Sequence, residues 1–254
     1  MLKFAVEMAK KAGKIHLKYF RNIKSVKYKG SFTNLVTNAD FESEKLIKSM
    51  IKNRYPAHGI IAEESGPENI DKEYRWIIDP LDGTVNFAHG FPLFCVSIAV
   101  QKNGRTIAGV VYSSLLKELF YAEEGKGAFL NGKRITVSKV KELRKAFLAT
   151  GFPYTLHQRP GKQYEWFEKF CKNTQAVRRG GSASLDLCYV ASGVFDGFWE
   201  RELKPWDTAA AELILREAGG SVSDYSGRAF DNFGNETLAS NGKIHSAMLN
   251  ILKR

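Results

Sequence analysis

The stretch Trp76-Ile77-Ile78-Asp79-Pro80-Leu81-Asp82-Gly83-Thr84 decides how this chain is read. Its apolar start is the pattern of a buried strand. It ends on two carboxylates three residues apart, and burying both is costly unless something cationic compensates. A divalent metal is the obvious compensation, because hard cations prefer carboxylate and carbonyl oxygens. Pro80 removes one backbone donor and bends the chain, so both carboxylates can face one point. Gly83 lets the backbone approach a ligand closely. Thr84 and the residues after it can open a helix whose free N–H groups accept a phosphate. Taken alone, the commoner reading of such residues is a strand followed by a turn.

Two other acidic sites repeat the arrangement. The apolar Gly59-Ile60-Ile61-Ala62 runs into Glu63-Glu64-Ser65-Gly66. Trp206-Asp207-Thr208 begins an amphipathic pattern with Ala210, Leu213, Ile214 and Ala218 on one face. Asp207 suits the N-cap of that helix and could serve only there. Glu63 and Glu64 could likewise be a solvated strand end.

Together these motifs resemble the inositol monophosphatase family of magnesium-dependent, lithium-sensitive sugar phosphatases. The resemblance rests on Glu63-Glu64-Ser65, on Asp79 to Thr84 followed by Val85-Asn86-Phe87, and on Trp206-Asp207 followed by Glu217-Ala218-Gly219-Gly220. It covers nearly the whole chain, from Lys29 to Gly220, in the family's order and spacing. It implies an α/β fold, an α-β-α-β-α five-layer sandwich with the site between its halves. We expect one domain over 1–254, made of two packed halves of roughly 1–145 and 146–254.

By the same resemblance, Glu63, Asp79 and the Leu81 carbonyl hold a first Mg²⁺. Asp79, Asp82 and Asp207 hold a second, and a weak third ion lies near Glu63. Thr84 binds the attacking water, assisted by Asp40; the plain alternative for Asp40 is a first-turn acid favoured by the helix dipole. The Gly83 and Thr84 amides cradle the phosphate. Gly181-Ser182-Ala183 resembles the family's hydroxyl-binding turn, and Glu200 matches the acid that binds sugar hydroxyls, which suits a polyol; its alternative is a solvated strand end. Lys29 lies on a loop that shapes metal access. Asn34 stands where the family often has Asp, and Arg201 to Pro205 resembles bacterial members. Val85-Asn86-Phe87 is the inositol-phosphatase version of the segment after Gly-Thr. The substrate class the resemblance implies is myo-inositol 1-phosphate or a related sugar phosphate, with fructose 1,6-bisphosphate as the closest competitor. A homodimer and Li⁺ inhibition are further implications of the resemblance.

Composition is that of an ordinary soluble globular protein. The 254 residues are 44% hydrophobic and 26% charged. The longest apolar stretch, Phe91 to Val100, is too short to span a bilayer, so no membrane partner is expected. The N-terminus carries no signal-peptide core; Ala5, Met8, Ala9, Ala12, Ile15 and Tyr19 instead share one helical face. Three widely spaced cysteines, Cys95, Cys171 and Cys188, suggest free thiols in a reducing, cytoplasmic setting. The net charge of +11 can steer phosphate esters and could also attract RNA. Its lysines are spread along the chain, and no aromatic-plus-basic RNA signature stands out. An RNA-associated regulatory role is the alternative from another class. The five histidines are scattered, with surface or core roles expected.

Periodicity predicts helices over 2–20, 38–54, 160–172, 182–192 and 207–218, and from about 243. Strands are expected near 23–29, 59–63, 74–79, 146–150, 175–178, 194–200, 220–223 and 237–240. A polar loop is expected over 30–37, and a β-rich block over 94–137 with turns at Asn103-Gly104, Glu124-Gly125 and Asn131-Gly132.

Overall fold

The N-terminal helix forms because its small and apolar residues recur on one face. In the computed structural model, which describes residues 1–29, 34–156 and 161–253, this helix is α1 (Leu2–Tyr19), with Ala5, Met8, Ala9 and Ala12 fully buried. The short strands β1 (Val26–Tyr28) and β2 (Leu35–Thr37) pair antiparallel, so β2 lies inside the segment expected to be loop. Residues 30–33 of that loop, His157, and the expected helix start at 160 lie outside the described residues. Helix α2 (Asn38–Arg54) follows. Next come β3 (Gly59–Ala62), β4 (Gly66–Glu68), β5 (Tyr74–Asp82), the short helix α3 (Thr84–Ala88), β6 (Cys95–Lys102), β7 (Arg105–Ser113), β8 (Glu118–Glu123), β9 (Ala128–Leu130) and β10 (Lys133–Ile135).

The strands β3 to β10 form one eight-stranded sheet in the order β10-β9-β8-β7-β6-β5-β3-β4. Asn103-Gly104 and Asn131-Gly132 both have positive φ at both residues, which the tight turns of the β6–β7 and β9–β10 hairpins require. Strand β4 was not anticipated, because Gly66-Pro67-Glu68 has no apolar alternation; it forms only as an edge partner of β3.

The second half alternates. It comprises β11 (Phe147–Thr150), α4 (Gln163–Asn173), β12 (Ala176–Arg178), α5 (Ala183–Ala191), β13 (Gly197–Arg201), α6 (Pro205–Glu217), β14 (Ser221–Ser223), β15 (Glu236–Ser240) and α7 (His245–Leu252). Its five strands form a second sheet in the order β12-β11-β13-β15-β14. Residues 194–196, expected to be strand, instead close the end of α5: the Val194 and Phe195 amides both donate to the Tyr189 carbonyl.

Packing stacks these parts into five layers. One core joins α1 and α2 (Ala5, Met8, Ile47, Ile51) to one face of the large sheet (Trp76, Ile78, Val96, Ile98). A larger one joins the other face (Ile77, Ala99, Val111) to α5 and α6 (Leu185, Cys188, Leu213, Ile214) and on to Phe198 and Ala239 of the small sheet. A third packs α4 and α7 (Phe170, Met248) on the outer face of the small sheet, with Phe170 stacked on Trp199 at 3.9 Å between ring centroids. The expected α-β-α-β-α sandwich is what the chain adopts.

Candidate active site

The site is built where β5 stops being a regular strand. Strand β5 pairs with β6 as Ile78↔Ile98 and Asp79↔Ser97, and then next as Asp82↔Cys95. Pro80 and Leu81 are looped out between them, so the strand runs past its expected end at Asp79 to Asp82. The bulge uses its own polar groups. The Leu81 amide donates to Asp79 Oδ1 at 2.9 Å, and the Leu81 carbonyl lies 2.9 Å from Thr84 Oγ1. Gly83 then turns the chain at φ +89 and starts α3. A Cβ there would meet the Leu93 carbonyl oxygen at 2.8 Å, so this turn requires glycine on both counts.

Asp40 reaches the same corner from α2. Its Oδ2 accepts from the Thr37 amide at 2.8 Å and the Thr37 hydroxyl at 2.6 Å, and the Ala39 amide donates back to Thr37 Oγ1. Asp40 is thus the first-turn acid of the plain reading. It also lies 3.1 Å, through Oδ1, from Thr84 Oγ1. The single Thr84 hydroxyl hydrogen therefore has two acceptors in reach, Asp40 and the Leu81 carbonyl. Burial pushes the Asp40 pKa up to about 6, against the opposing Thr37 bonds.

Glu63 and Glu64 follow β3. Lys29 binds both, at 2.9 Å to Glu63 Oε1 and 2.5 Å to Glu64 Oε1. Burial works against the Lys29 charge, but the two carboxylates outweigh it and raise its pKa. Burial together with Glu63 pushes Glu64 up to about 7.

Asp82 is held from the second half of the chain. Its Oδ2 accepts from Ser182 Oγ at 2.7 Å and from the Ser184 amide at 2.8 Å, and Cys95 Sγ lies 3.8 Å away. Burial raises it to about 6 in spite of these donors. Asp207 does not occupy the N-cap expected for it. Helix α6 starts two residues earlier, at Pro205, whose fixed φ suits a first helical position. Asp207 is the third helical residue, and its Oδ2 accepts from the Lys204 amide at 2.6 Å. Asp79 and Asp207 are pushed well above the ordinary carboxylate range by burial first. The neighbouring carboxylates add to this: Glu63, Asp82 and Asp207 for Asp79; Asp82 and Glu63 for Asp207.

Four acids from three distant segments therefore share one electrostatic field. Lys29 is paired with Glu63 and Glu64, not with Asp79, Asp82 or Asp207. This is a donor set of hard oxygens carrying repulsion that a small, highly charged cation would relieve. Among the described residues no three His, Cys, Asp or Glu side chains already close on one point. Each acid is instead turned onto a donor of the protein: Lys29, the Leu81 amide, Ser182 with Ser184, and the Lys204 amide. The fit to Mg²⁺ is one of donor chemistry, and these donors are what a cation would displace or share.

Gly181, Ser182 and Ala183 form the turn into α5, with Gly181 at φ +83. Asn86 ties this turn to α3, donating to the Gly180 carbonyl at 2.9 Å and to the Leu93 carbonyl at 2.7 Å. Glu200, on β13, lies over Gly151, where a Cβ would come within 2.1 Å of its Oε2. Burial, with Asp186 nearby, pushes its pKa well up. Asp186 is itself 3% exposed and sits against Gly180.

Sequence reading missed Asn86 as a tie and Asp186 as a buried acid. Asn86 stood inside a quoted motif without a role, and an acid inside an apolar helix was the available signal for Asp186. It also gave His16 no specific role. That residue is fully buried, and burial pushes its pKa down to about 4.

The whole chain, residues 1–254, matches the model of the inositol monophosphatase family. The chain belongs to that family. It is 49% identical over 237 residues to a Vibrio cholerae protein named Nus factor SuhB, covering 89% of this chain and 86% of that one. It is 43% identical over 248 residues to a Synechocystis inositol-1-monophosphatase, covering 97% and 86%. Among solved structures, an inositol monophosphatase from Anabaena (Nostoc) sp. superposes with a TM-score of 0.91 at 42% identity, covering 99% of this chain and 94% of that one. These matches bear out the family resemblance and the sugar phosphatase fold. No helix among the described residues is long and apolar enough to cross a membrane.

Proposed function

We propose that this protein is a Mg²⁺-dependent phosphomonoesterase acting on myo-inositol 1-phosphate or a related sugar phosphate. The observation that carries the reading is the β5 bulge. It brings Asp79 and Asp82 into one buried field with Glu63 and Asp207, in a chain of the inositol monophosphatase family. Glu63, Asp79 and the Leu81 carbonyl would hold one Mg²⁺, and Asp79, Asp82 and Asp207 a second, with a weaker third beside Glu63. When bound, the ions supply an activated water and charge stabilisation at the leaving oxygen.

The chain's own residues do the rest. With the Leu81 carbonyl engaged, the Thr84 hydroxyl turns its hydrogen to Asp40, and its lone pairs are left to orient the attacking water. Asp40 keeps that geometry because Thr37 clamps its other oxygen. The Gly83 and Thr84 amides at the start of α3 receive the phosphate. Ser182, Ala183 and Gly181 form the wall facing the polyol, and Glu200 accepts from its hydroxyls. Lys29 holds Glu63 and Glu64 and must yield Glu63 when a cation binds there. We place the enzyme in the cytoplasm as a homodimer, following the free cysteines and the family resemblance.

A second reading comes from relatives that bear the name Nus factor SuhB. On it, this basic chain acts as an RNA-associated regulatory protein on a phosphatase scaffold. The two readings separate in one set of assays. Steady-state hydrolysis of myo-inositol 1-phosphate, fructose 1,6-bisphosphate and an aryl phosphate is measured with and without saturating Mg²⁺, alongside RNA retention at moderate salt. Mg²⁺-dependent turnover of the inositol ester, blocked uncompetitively by millimolar or higher Li⁺ but not by K⁺ at equal ionic strength, is the expected result. RNA retention without turnover would overturn the reading in favour of the second.

A further inference from the structure

The β5 bulge leaves one strong acceptor without a strand partner. Cross-strand pairing passes from Asp79↔Ser97 directly to Asp82↔Cys95, so neither Pro80 nor Leu81 has an opposite residue. Leu81 spends its amide on Asp79 and its carbonyl on Thr84. Pro80 has no amide hydrogen, and its carbonyl remains. A buried carbonyl left unpaired costs the desolvation of the group. The partner comes from 64 positions away: His16 Nε2, on α1, lies 2.8 Å from the Pro80 oxygen.

A carbonyl only accepts, so Nε2 must carry the ring hydrogen, and Nδ1 is then the unprotonated nitrogen. That nitrogen is buried and has no hydrogen-bond partner among the described residues. The ring sits edge-on to Phe87 and Phe94, with centroids 6.2 and 5.9 Å away. A leucine or phenylalanine would suit such a pocket without the cost of an unpaired nitrogen. The one thing histidine adds here is the donor to Pro80.

The Pro80 carbonyl and the Leu81 amide belong to the same peptide plane, which is rigid. His16 binds its oxygen, and Asp79 Oδ1 accepts from its N–H at 2.9 Å. Fixing one edge of the plane fixes the other, and a donor on the oxygen polarises the N–H on the far side. We propose that His16 is a positioning residue, which sets the direction of the Asp79 carboxylate through the Pro80–Leu81 peptide. This rests on the metal-dependent reading above. His16 touches no reacting atom in that reading; it acts through Asp79, the acid assigned to both ions.

His16→Phe keeps the ring volume and removes the donor, and His16→Gln replaces Nε2–H with an amide N–H of similar reach. In steady-state assays on myo-inositol 1-phosphate, His16→Phe should raise the Mg²⁺ concentration for half-maximal rate by roughly 5- to 50-fold, the range expected for losing one buried hydrogen bond. KM for the ester at saturating Mg²⁺ should change by less than about twofold, and His16→Gln should recover most of the Mg²⁺ response. A general packing defect would not give that split or that rescue. A folded His16→Phe protein with the wild-type Mg²⁺ response overturns the proposal.

The wild-type protein gives a readout free of both folding and turnover. Its ¹⁵N-histidine spectrum should show His16 as the Nε2–H tautomer, and both that resonance and the Leu81 amide should move when Mg²⁺ alone is added. An Nδ1–H tautomer, or a His16 resonance indifferent to Mg²⁺ that binds, overturns the proposal even if His16→Phe fails to fold. If wild-type protein hydrolyses none of the esters, the functional reading fails by itself, and the spectra still decide the role of His16.

Discussion

Asp79 is held well above the ordinary carboxylate range by burial and by its acidic neighbours. It is buried among three other acids, and one protein donor, the Leu81 amide, offsets part of that. Asp79→Asn removes charge at the point assigned to two dications, so turnover should fall by at least ~10³-fold. Metal-free stability should hold or rise, because a buried like-charge repulsion is relieved. Near-normal kcat from a folded Asp79→Asn protein would sink the metal assignment. Glu200 is tested by substrate contrast. Glu200→Ala should cost the inositol ester roughly 1.5–3 kcal/mol in kcat/KM, the worth of a charged hydrogen bond. A simple aryl phosphate should be nearly unaffected, and equal losses on both would place Glu200 among the general metal-site groups. Both acids were legible as residue types at given spacings. Which donors hold the neighbouring Asp82 was not, because Ser182 and Ser184 reach it only in the folded chain.

Elements were most legible where patterns are strong and local. Helix α2 has the expected bounds, because its apolar face and its Thr37–Asp40 cap lie within one segment. The Asn-Gly hairpins were equally plain. Strand β4 escaped notice because it lacks apolar alternation, and the extension of β5 through Pro80 because the Pro80 carbonyl is answered by His16, 64 positions away. The hinge between β5 and α3 supplies the prediction at this scale. Gly83→Ala forces a side chain into positive φ and onto the Leu93 carbonyl. It should destabilise the protein by roughly 2–4 kcal/mol, read as a lower denaturant midpoint at unchanged slope. Turnover should fall as well, since the same turn aims the α3 amides. A midpoint equal to wild type would show that this corner yields more freely than its contacts indicate.

The halves 1–145 and 146–254 share their largest core: α5 and α6 from the second half pack on the large sheet of the first, which joins Ile77 and Val111 to Leu213 and Phe198. Asp82 of the first half is also satisfied by Ser182 and Ser184 of the second. We propose that the chain unfolds as one domain. Calorimetry should give a single transition whose van't Hoff and calorimetric enthalpies agree. Two resolved transitions, or a stable fragment ending near residue 145, would contradict this.

By itself the sequence determined the acids, their spacing, the run of helices and strands, and through its motifs the family. Those depend on residue type and on periodicity within short segments. Only the tertiary structure decided that the Pro80 carbonyl is answered by His16, that Asp40 reaches Thr84 as well as its local partner Thr37, and that Asp82 is held by Ser182 and Ser184. The physical reason is common to all three. A buried polar group must find a partner, and in a layered fold the partner comes from whichever distant segment the packing of cores brings within hydrogen-bond reach.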